Sequence, residues 1–216
     1  AIGSEQLKKL DLILEKRRTR AQILMDCLDE LPGLSYPKLP DQAEHSYYTF
    51  PIIYDSAVNK IPRTRFIKAL QAEMPEPEDW ETTIVGQGYI KPLYWGRQYR
   101  EKLGLGKMNF PFNLAPGIEY KKGDCPNCET LFLKTLITTD MVRDWAERDE
   151  MKDFARAIQK VYAHQSEIQQ QFGSDLEEAG FQLPHETIDA LENAKNTKCF
   201  RKSATFTILP CPRLFR

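Results

Sequence analysis

The sequence predicts a mixed α/β fold, an α+β layer in which strands and helices alternate. Three observations predict it. An amphipathic helical pattern fills the first thirty or so residues. Short runs rich in aromatic and β-branched residues follow, separated by helical patterns. A second long amphipathic pattern occupies residues 147–171.

The first helix is predicted over residues 3–31. Leu7, Leu10, Leu14, Ala21, Leu24, Leu28 and Leu31 recur at spacings of three and four, which makes one apolar stripe. Lys8, Glu15, Arg18, Gln22 and Asp29 fill the opposite face, and Pro32-Gly33 ends the pattern. At ~1.5 Å per residue such a helix is roughly 43 Å long, more than one small domain needs. The stripe begins in the first turn, so the helix is expected to bridge two domains, one of them outside this chain. A surface helix on a single core is the simpler alternative.

A Pro-rich connector covers residues 34–40. Residues 45–54 (HSYYTFPIIY) read as a strand, and Pro51 within it points to an edge or a bulge. Pro62 opens a short helix with Phe66, Ile67 and Leu70 on its buried side. Residues 74–80 are an acidic loop, and residues 82–85 form a second strand. Residues 86–95 (GQGYIKPLYW) are a Gly-punctuated turn with an aromatic segment. Residues 96–103 read as helix, and the stretch to Tyr120 as loop. Asp124 is the expected N-cap of a helix reaching Leu133. A third strand covers residues 135–139. The last helix places Met151, Phe154, Ala155, Ile158, Val161 and Tyr162 on one face. Beyond Gly173 the pattern weakens. Two short helices are expected within residues 174–194, then a solvated basic tail.

Bulk properties narrow the function. Of 216 residues, 41% are hydrophobic and 28% charged, as in ordinary globular proteins. Lys plus Arg is 30 and Asp plus Glu is 31, so the net charge of −1 gives no global pull towards nucleic acid or anionic membranes. No apolar run approaches the roughly 20 residues that span a bilayer, so neither nucleic acid nor membrane is an expected partner. Five scattered cysteines fit a reducing, cytoplasmic setting better than a disulfide framework.

Few motifs carry chemistry. Cys125-Pro126-Asn127-Cys128 has the spacing of a redox pair or half a zinc site. Cys199 and Cys211 stand at the wrong spacing to complete such a site, so two cysteines in a first helical turn, one facing the core, is the simpler account. His45, His164 and His185 pair with no nucleophile motif. Gly86-Gln87-Gly88 and Gly104-Leu105-Gly106 lack the remainder of any phosphate-binding loop. Tyr89, Lys91 and Tyr94 remain. They put two phenols and an ammonium beside a flexible turn, which suits them to positioning a polar substrate. Packing of the aromatics with a solvated Lys91 is the competing account.

An ordered set of segments resembles the DegT/DnrJ/EryC1/StrS aminotransferases, pyridoxal-phosphate enzymes of fold type I. Residues 1–11 (AIGSEQLKKLD), with Glu15-Lys16-Arg17-Arg18, are similar to the family's A-I-G-x-x-Q-L-x-K-L-D…x-K-R-R. Leu31-Pro32-Gly33-Leu34 resembles its L-P-G-L, and His45-Ser46-Tyr47-Tyr48 its H-S-Y-Y. Pro92-Leu93-Tyr94, then Tyr99-Arg100, is similar to P-L-H/Y…Y-R. Gly123-Asp124, Pro126-Asn127 and Glu129 resemble G-D-x-P-N-A-E, with Cys128 where a small residue is usual. The closing helix over residues 153–162 also fits. The set covers residues 1–171.

The resemblance implies a small C-terminal domain of a fold type I aminotransferase: a linking helix over residues 1–33, and residues 34–171 as a small, mainly antiparallel sheet covered by helices. Residues 172–216 would be an extension or tail, partly disordered. The implied reaction moves an amino group from Glu or Gln to a keto sugar, keto-cyclitol or related carbonyl compound. The lysine that holds pyridoxal 5'-phosphate and the acid beside its ring nitrogen lie upstream of A-I-G in the family, so no cofactor is expected on this chain alone. The implied partners are the large cofactor domain, or a homodimer mate, and a small-molecule substrate. Tyr94 matches a position often held by His at the substrate end, with Lys91 and Tyr89 as neighbours. A non-catalytic interaction module and a redox or zinc protein are the alternatives.

Overall fold

The computed structural model describes residues 2–75, 84–143 and 146–172. Two compact units divide the chain at residue 178, and the second lies outside the described residues, as do the helices and tail expected beyond Gly173.

The sheet has four strands, all antiparallel, in the order β1 (Leu34–Ser35), β2 (Phe50–Tyr54), β4 (Leu136–Thr139), β3 (Val85–Gln87). Its register pairs Leu34 with Tyr54, Ile52 with Ile137, and Val85 with Thr139. Alternation along the strands puts Phe50, Ile52, Tyr54, Ile137 and Thr139 on the buried side. Helices α2 (Leu10–Asp29), α3 (Arg63–Ala72) and α6 (Arg148–Ala163) pack there, α6 touching both of the others. The core joins Leu24 and Leu28 of α2, Phe66 and Leu70 of α3, and Met151, Phe154 and Ile158 of α6. A small antiparallel sheet covered by helices is therefore the observed class.

The first helix is not continuous. A short α1 (Ile2–Leu7) ends in a turn at Lys8-Lys9, where the Lys9 N–H bonds to the Gln6 carbonyl at 3.0 Å, and α2 restarts at Leu10. The physical cause is the lack of tertiary support. Every residue from Ile2 to Leu12 is exposed, and a short helix without a packed face is marginal. From Ala21 onward the same stripe is buried and the helix is regular.

Gly33 turns the chain out of α2 at φ +83°, where a Cβ would stand 2.5 Å from Asn59 Nδ2 and 2.9 Å from Val58 Cβ. Asn59 is buried and repays that approach with hydrogen bonds. Its Nδ2 donates to the Gly33 carbonyl at 2.9 Å and the Asp55 carbonyl at 2.8 Å, and its Oδ1 accepts from Gln165 Nε2 at 3.0 Å. Gln165 Oε1 then accepts the Lys60 N–H at 2.8 Å. One polar network thus ties the end of α2, the β2–α3 loop and α7 (Gln165–Phe172) together.

Pro51 sits in an inner strand, but β1 reaches only as far as Ile53, so β2 is locally an edge at Pro51. That is how the sheet accepts a residue without an N–H. Pro62 precedes α3 as expected, and Phe66, Ile67 and Leu70 are buried. The Tyr54 hydroxyl donates to the Ile61 carbonyl at 2.5 Å, and burial pushes its phenol well above the usual range. The N-cap of α5 (Pro126–Thr130) is Cys125 and not Asp124. Asp124 instead accepts the Lys121 N–H at 2.7 Å within the preceding turn. A π-helical turn, Leu131–Thr135, links α5 to β4. The closing helix breaks at His164 into α6 and α7. Glu147 and Glu150 form a reciprocal capping box at the start of α6.

Arg63 closes the far end of the α5 segment. It is buried, and Nη1 donates to the carbonyls of Phe132 at 3.1 Å and Leu136 at 2.8 Å, while Nη2 reaches that of Leu133 at 2.7 Å. These are the carbonyls that a helix end leaves without internal partners. One guanidinium, with donors in a fixed fork, satisfies them together.

Candidate functional site

The segment between β3 and α4 (Arg97–Arg100) carries all three candidate residues. Gly88 starts it at φ +65°. A Cβ there would lie 2.9 Å from Phe132 Cδ2. The Gly88 N–H bonds to the Leu136 carbonyl at 2.7 Å, and the Thr138 hydroxyl donates to the Gly88 carbonyl at 2.6 Å. The segment is thereby held to β4. Pro92 then opens a 3₁₀ turn, Leu93–Trp95, which presents Tyr94 and Trp95.

Tyr94 is half-buried, and its hydroxyl donates to Glu129 Oε1. The same oxygen accepts the Gly123 N–H at 2.6 Å. Burial first, then the hydrogen bond to Glu129, push the Tyr94 phenol up to about 12. The two effects agree, since a phenolate would be desolvated and would face a carboxylate. Glu129 moves the opposite way. The phenol proton and the Gly123 N–H hold its carboxyl below the usual carboxylate range. Trp95 stands edge-on to Phe132 with centroids 5.9 Å apart, and Lys122 Nζ lies 5.0 Å over the indole. Tyr94, Trp95, Lys122, Gly123 and Glu129 thus form one polar and aromatic corner, supported from beneath by the Arg63-capped turn.

Tyr89 has different company. It is exposed and hydrogen-bonds to Tyr48, and that bond is the main reason its phenol is raised. The Arg143 guanidinium lies 5.2 Å over the Tyr48 ring and pairs with Asp140 at 3.0 Å. Lys91, between the two corners in sequence, is half-buried and makes no hydrogen bond or ion pair among the described residues. The structure therefore places the three candidates on one segment but gives each a separate setting.

Cys125 and Cys128 are both exposed, so neither faces the core. Among the described residues, no group of three or more His, Cys, Asp or Glu side chains stands close enough to hold a metal. His45 Nδ1 accepts the Tyr47 N–H at 2.7 Å, and His164 Nδ1 lies 2.8 Å from the Lys160 carbonyl, so both serve local backbone turns. His185 lies outside the described residues.

Glu129, Tyr48 and Arg143 escaped selection from sequence. Glu129 lies in the quoted G-D-x-P-N segment, yet its partner Tyr94 is 35 positions away, a separation no local pattern encodes. Tyr48 and Arg143 meet only because β2 and β4 are neighbours.

The fold is that of aminotransferase chains. The chain is similar to an aminotransferase from Psychrobacter cryohalolentis, with a TM-score of 0.55 and 21% identity over 76% of this chain and 38% of that one. Similarity to the aminotransferase TlmJ from Streptoalloteichus hindustanus gives a TM-score of 0.53 and 19% identity over 76% of this chain and 36% of that one. Residues 1–97 match the DegT/DnrJ/EryC1/StrS aminotransferase family, so the resemblance carried by the sequence motifs is borne out there. The L-glutamine:2-deoxy-scyllo-inosose aminotransferase of Streptoalloteichus tenebrarius is 28% identical over 173 residues, 78% of this chain and 38% of that protein. The spore coat polysaccharide biosynthesis protein SpsC of Bacillus subtilis is 24% identical over 136 residues, 63% of this chain and 29% of that protein. The chain thus spans about a third of the length of these curated relatives.

Enzymes of this family use pyridoxal phosphate. The described residues of this chain do not fit that group. No lysine and no carboxylate is among the buried charged side chains, which are Arg20, Arg63 and Arg65. Among the described residues, therefore, no enclosed lysine is paired with an acid that could face the ring nitrogen. No helix among the described residues is long and apolar enough to cross a membrane.

Proposed function

We propose that this chain is the small C-terminal domain, with its linking helix, of a DegT-type pyridoxal-phosphate aminotransferase. Residues 1–33 link, residues 34–171 form the domain, and residues 172–216 extend it. The reaction moves an amino group from Glu or Gln to a keto sugar, keto-cyclitol or related carbonyl compound. The observation that carries this is the 28% identity, across 78% of the chain, to an enzyme whose name specifies an amino donor and a keto-cyclitol. The cofactor-holding lysine belongs to the large domain. This chain shapes one wall of the substrate cleft.

In that wall Tyr94 meets a polar group of the substrate, and Tyr89 and Lys91 flank it. Binding energy from such groups orients the reacting carbon without touching it. The exposed apolar residues Ile2, Leu7, Leu10 and Leu12 are where the large domain, or a second subunit, packs against the linking helix.

The test has two parts. The chain alone is mixed with pyridoxal phosphate, reduced with borohydride and mapped by mass spectrometry. Only scattered, substoichiometric labelling is expected; one lysine labelled stoichiometrically overturns the assignment of the cofactor lysine to the large domain. The chain joined to a lysine-bearing large domain of the family is then assayed for glutamine-dependent amination of 2-deoxy-scyllo-inosose. Turnover that falls at least tenfold in kcat/KM with Tyr94→Phe supports the site. Wild-type turnover that Tyr94→Phe leaves unchanged removes Tyr94 from it.

A further inference from the structure

The Tyr94 phenol has one proton and two lone pairs. Its proton is directed at Glu129 Oε1. The Cys125 backbone N–H is also turned to the phenol and lowers its pKa, opposing the main shift. That leaves one lone pair and no proton for anything outside. Glu129 is itself fixed. Gly123, at φ +98°, aims its N–H at Oε1 at 2.6 Å, and α5 carries the Glu129 backbone. Lys122 is a nearby charged group, and its ammonium favours the Glu129 carboxylate.

We infer that Glu129 is a positioning residue that commits the Tyr94 proton, so the substrate group meeting Tyr94 is a hydrogen-bond donor, a hydroxyl or amino group. A phosphoryl or carboxylate oxygen offers only lone pairs, and there it would face another acceptor with nothing between them. The inference deepens the proposed function and rests on its placing of Tyr94 at the substrate. It assigns this corner to the neutral, hydroxyl-bearing part of the substrate.

The experiment uses the full chain labelled with 13C at the tyrosine ζ carbon, with Tyr94→Phe assigning the Tyr94 line. In the wild type that line titrates near 12. In Glu129→Ala the midpoint falls, stopping short of the ordinary phenol value because burial persists. In Glu129→Gln, which keeps an acceptor but no charge, it falls less. A Tyr94 midpoint unchanged in both variants overturns the role of Glu129, whatever the substrate. The second arm adds myo-inositol, rich in donors, or sulfate, which has no proton to give, at matched ionic strength. The expected result is a concentration-dependent shift of the Tyr94 line with inositol, none with sulfate, and a weakened inositol response in Glu129→Ala that Glu129→Gln partly restores. A shift with sulfate and not inositol overturns the donor rule. A Tyr94 line unmoved by both probes overturns the donor rule together with the placing of Tyr94 at the substrate, while the titration arm still judges Glu129 separately.

Discussion

The two halves of the first helical stripe are both leucine-rich and have opposite fates. Leu24 and Leu28 are 0% and 1% exposed, whereas Leu7 and Leu10 are 70% and 42% exposed. Periodicity alone treats them alike. What separates them is the opposing surface. α6 runs alongside the later half, where the Cys27 thiol approaches the Ala155 carbonyl at 3.5 Å and the Tyr162 hydroxyl donates to the Pro32 carbonyl at 2.9 Å. Nearer the middle of the helix, Arg18 reaches Glu44 at 2.6 Å. A stripe therefore says which face seeks an apolar partner and leaves open where that partner is.

The largest expected effect tests the buried half. Leu24→Ala leaves a cavity between α2 and its neighbours and is expected to cost about 2–5 kcal/mol of unfolding free energy. Urea denaturation followed by circular dichroism measures it. A cost near zero would mean that the two halves are alike after all. Gly33→Ala comes next. Positive φ at a non-glycine residue is expected to cost about 1–3 kcal/mol, and the 2.5 Å approach to Asn59 adds to it by disturbing the polar network. A comparable loss of thermal stability in Asn59→Ala would show that the turn and the network act as one unit.

Arg63→Ala tests whether the later part of the chain also depends on a remote partner. Truncation leaves several carbonyls of the π-helical turn without donors, with an expected cost of about 1–3 kcal/mol for each one left buried. Hydrogen exchange should speed up first in residues 131–136, before the rest of the sheet. Uniform loosening would assign Arg63 to the core as a whole.

Much of the fold was legible and the polar fastenings were not, for one reason. Phe66, Ile67 and Leu70 announce their helix by spacing, and Phe50, Ile52 and Tyr54 announce a strand by alternation, because those signals are local. Arg63 reads as a surface residue of an amphipathic helix, yet it caps a segment about 70 positions later. Asn59 follows a strand and Gln165 falls within the closing helical pattern, yet they meet across 106 positions. The same holds at the candidate site. Tyr94 was visible as a phenol beside a flexible turn, but the carboxylate that fixes its proton comes from another element. Two-residue β1 was hidden in a Pro-rich connector, since a strand that short carries no alternation.

The Tyr94–Glu129 pair extends the comparison from packing to charge. Glu129 is held below its ordinary 4.5, so its contribution is present above that value and fades as pH falls through the lowered one. Tyr94 is raised from 10.0 to about 12, so its contribution is complete below 10.0 and fades as pH rises to about 12. Thermal melts across pH should therefore show wild type and Tyr94→Phe diverging on the plateau and converging at both ends. Parallel curves at all pH values would mean that the pair is not coupled.

The smallest expected effect lies in the exposed half. Leu7→Ser and Leu10→Ser remove apolar surface that already faces solvent, so each should change stability by under about 0.5 kcal/mol in this chain. The value lies in the contrast with Leu24→Ala. If Leu10→Ser costs more than about 1 kcal/mol here, the early half packs against something within the chain and the break at Lys8-Lys9 has another cause. If it costs nothing here but weakens association with a lysine-bearing large domain, measured by sedimentation on the two separate pieces, the stripe is a single device. Its later half faces α6, and its earlier half faces a surface that another domain or subunit supplies.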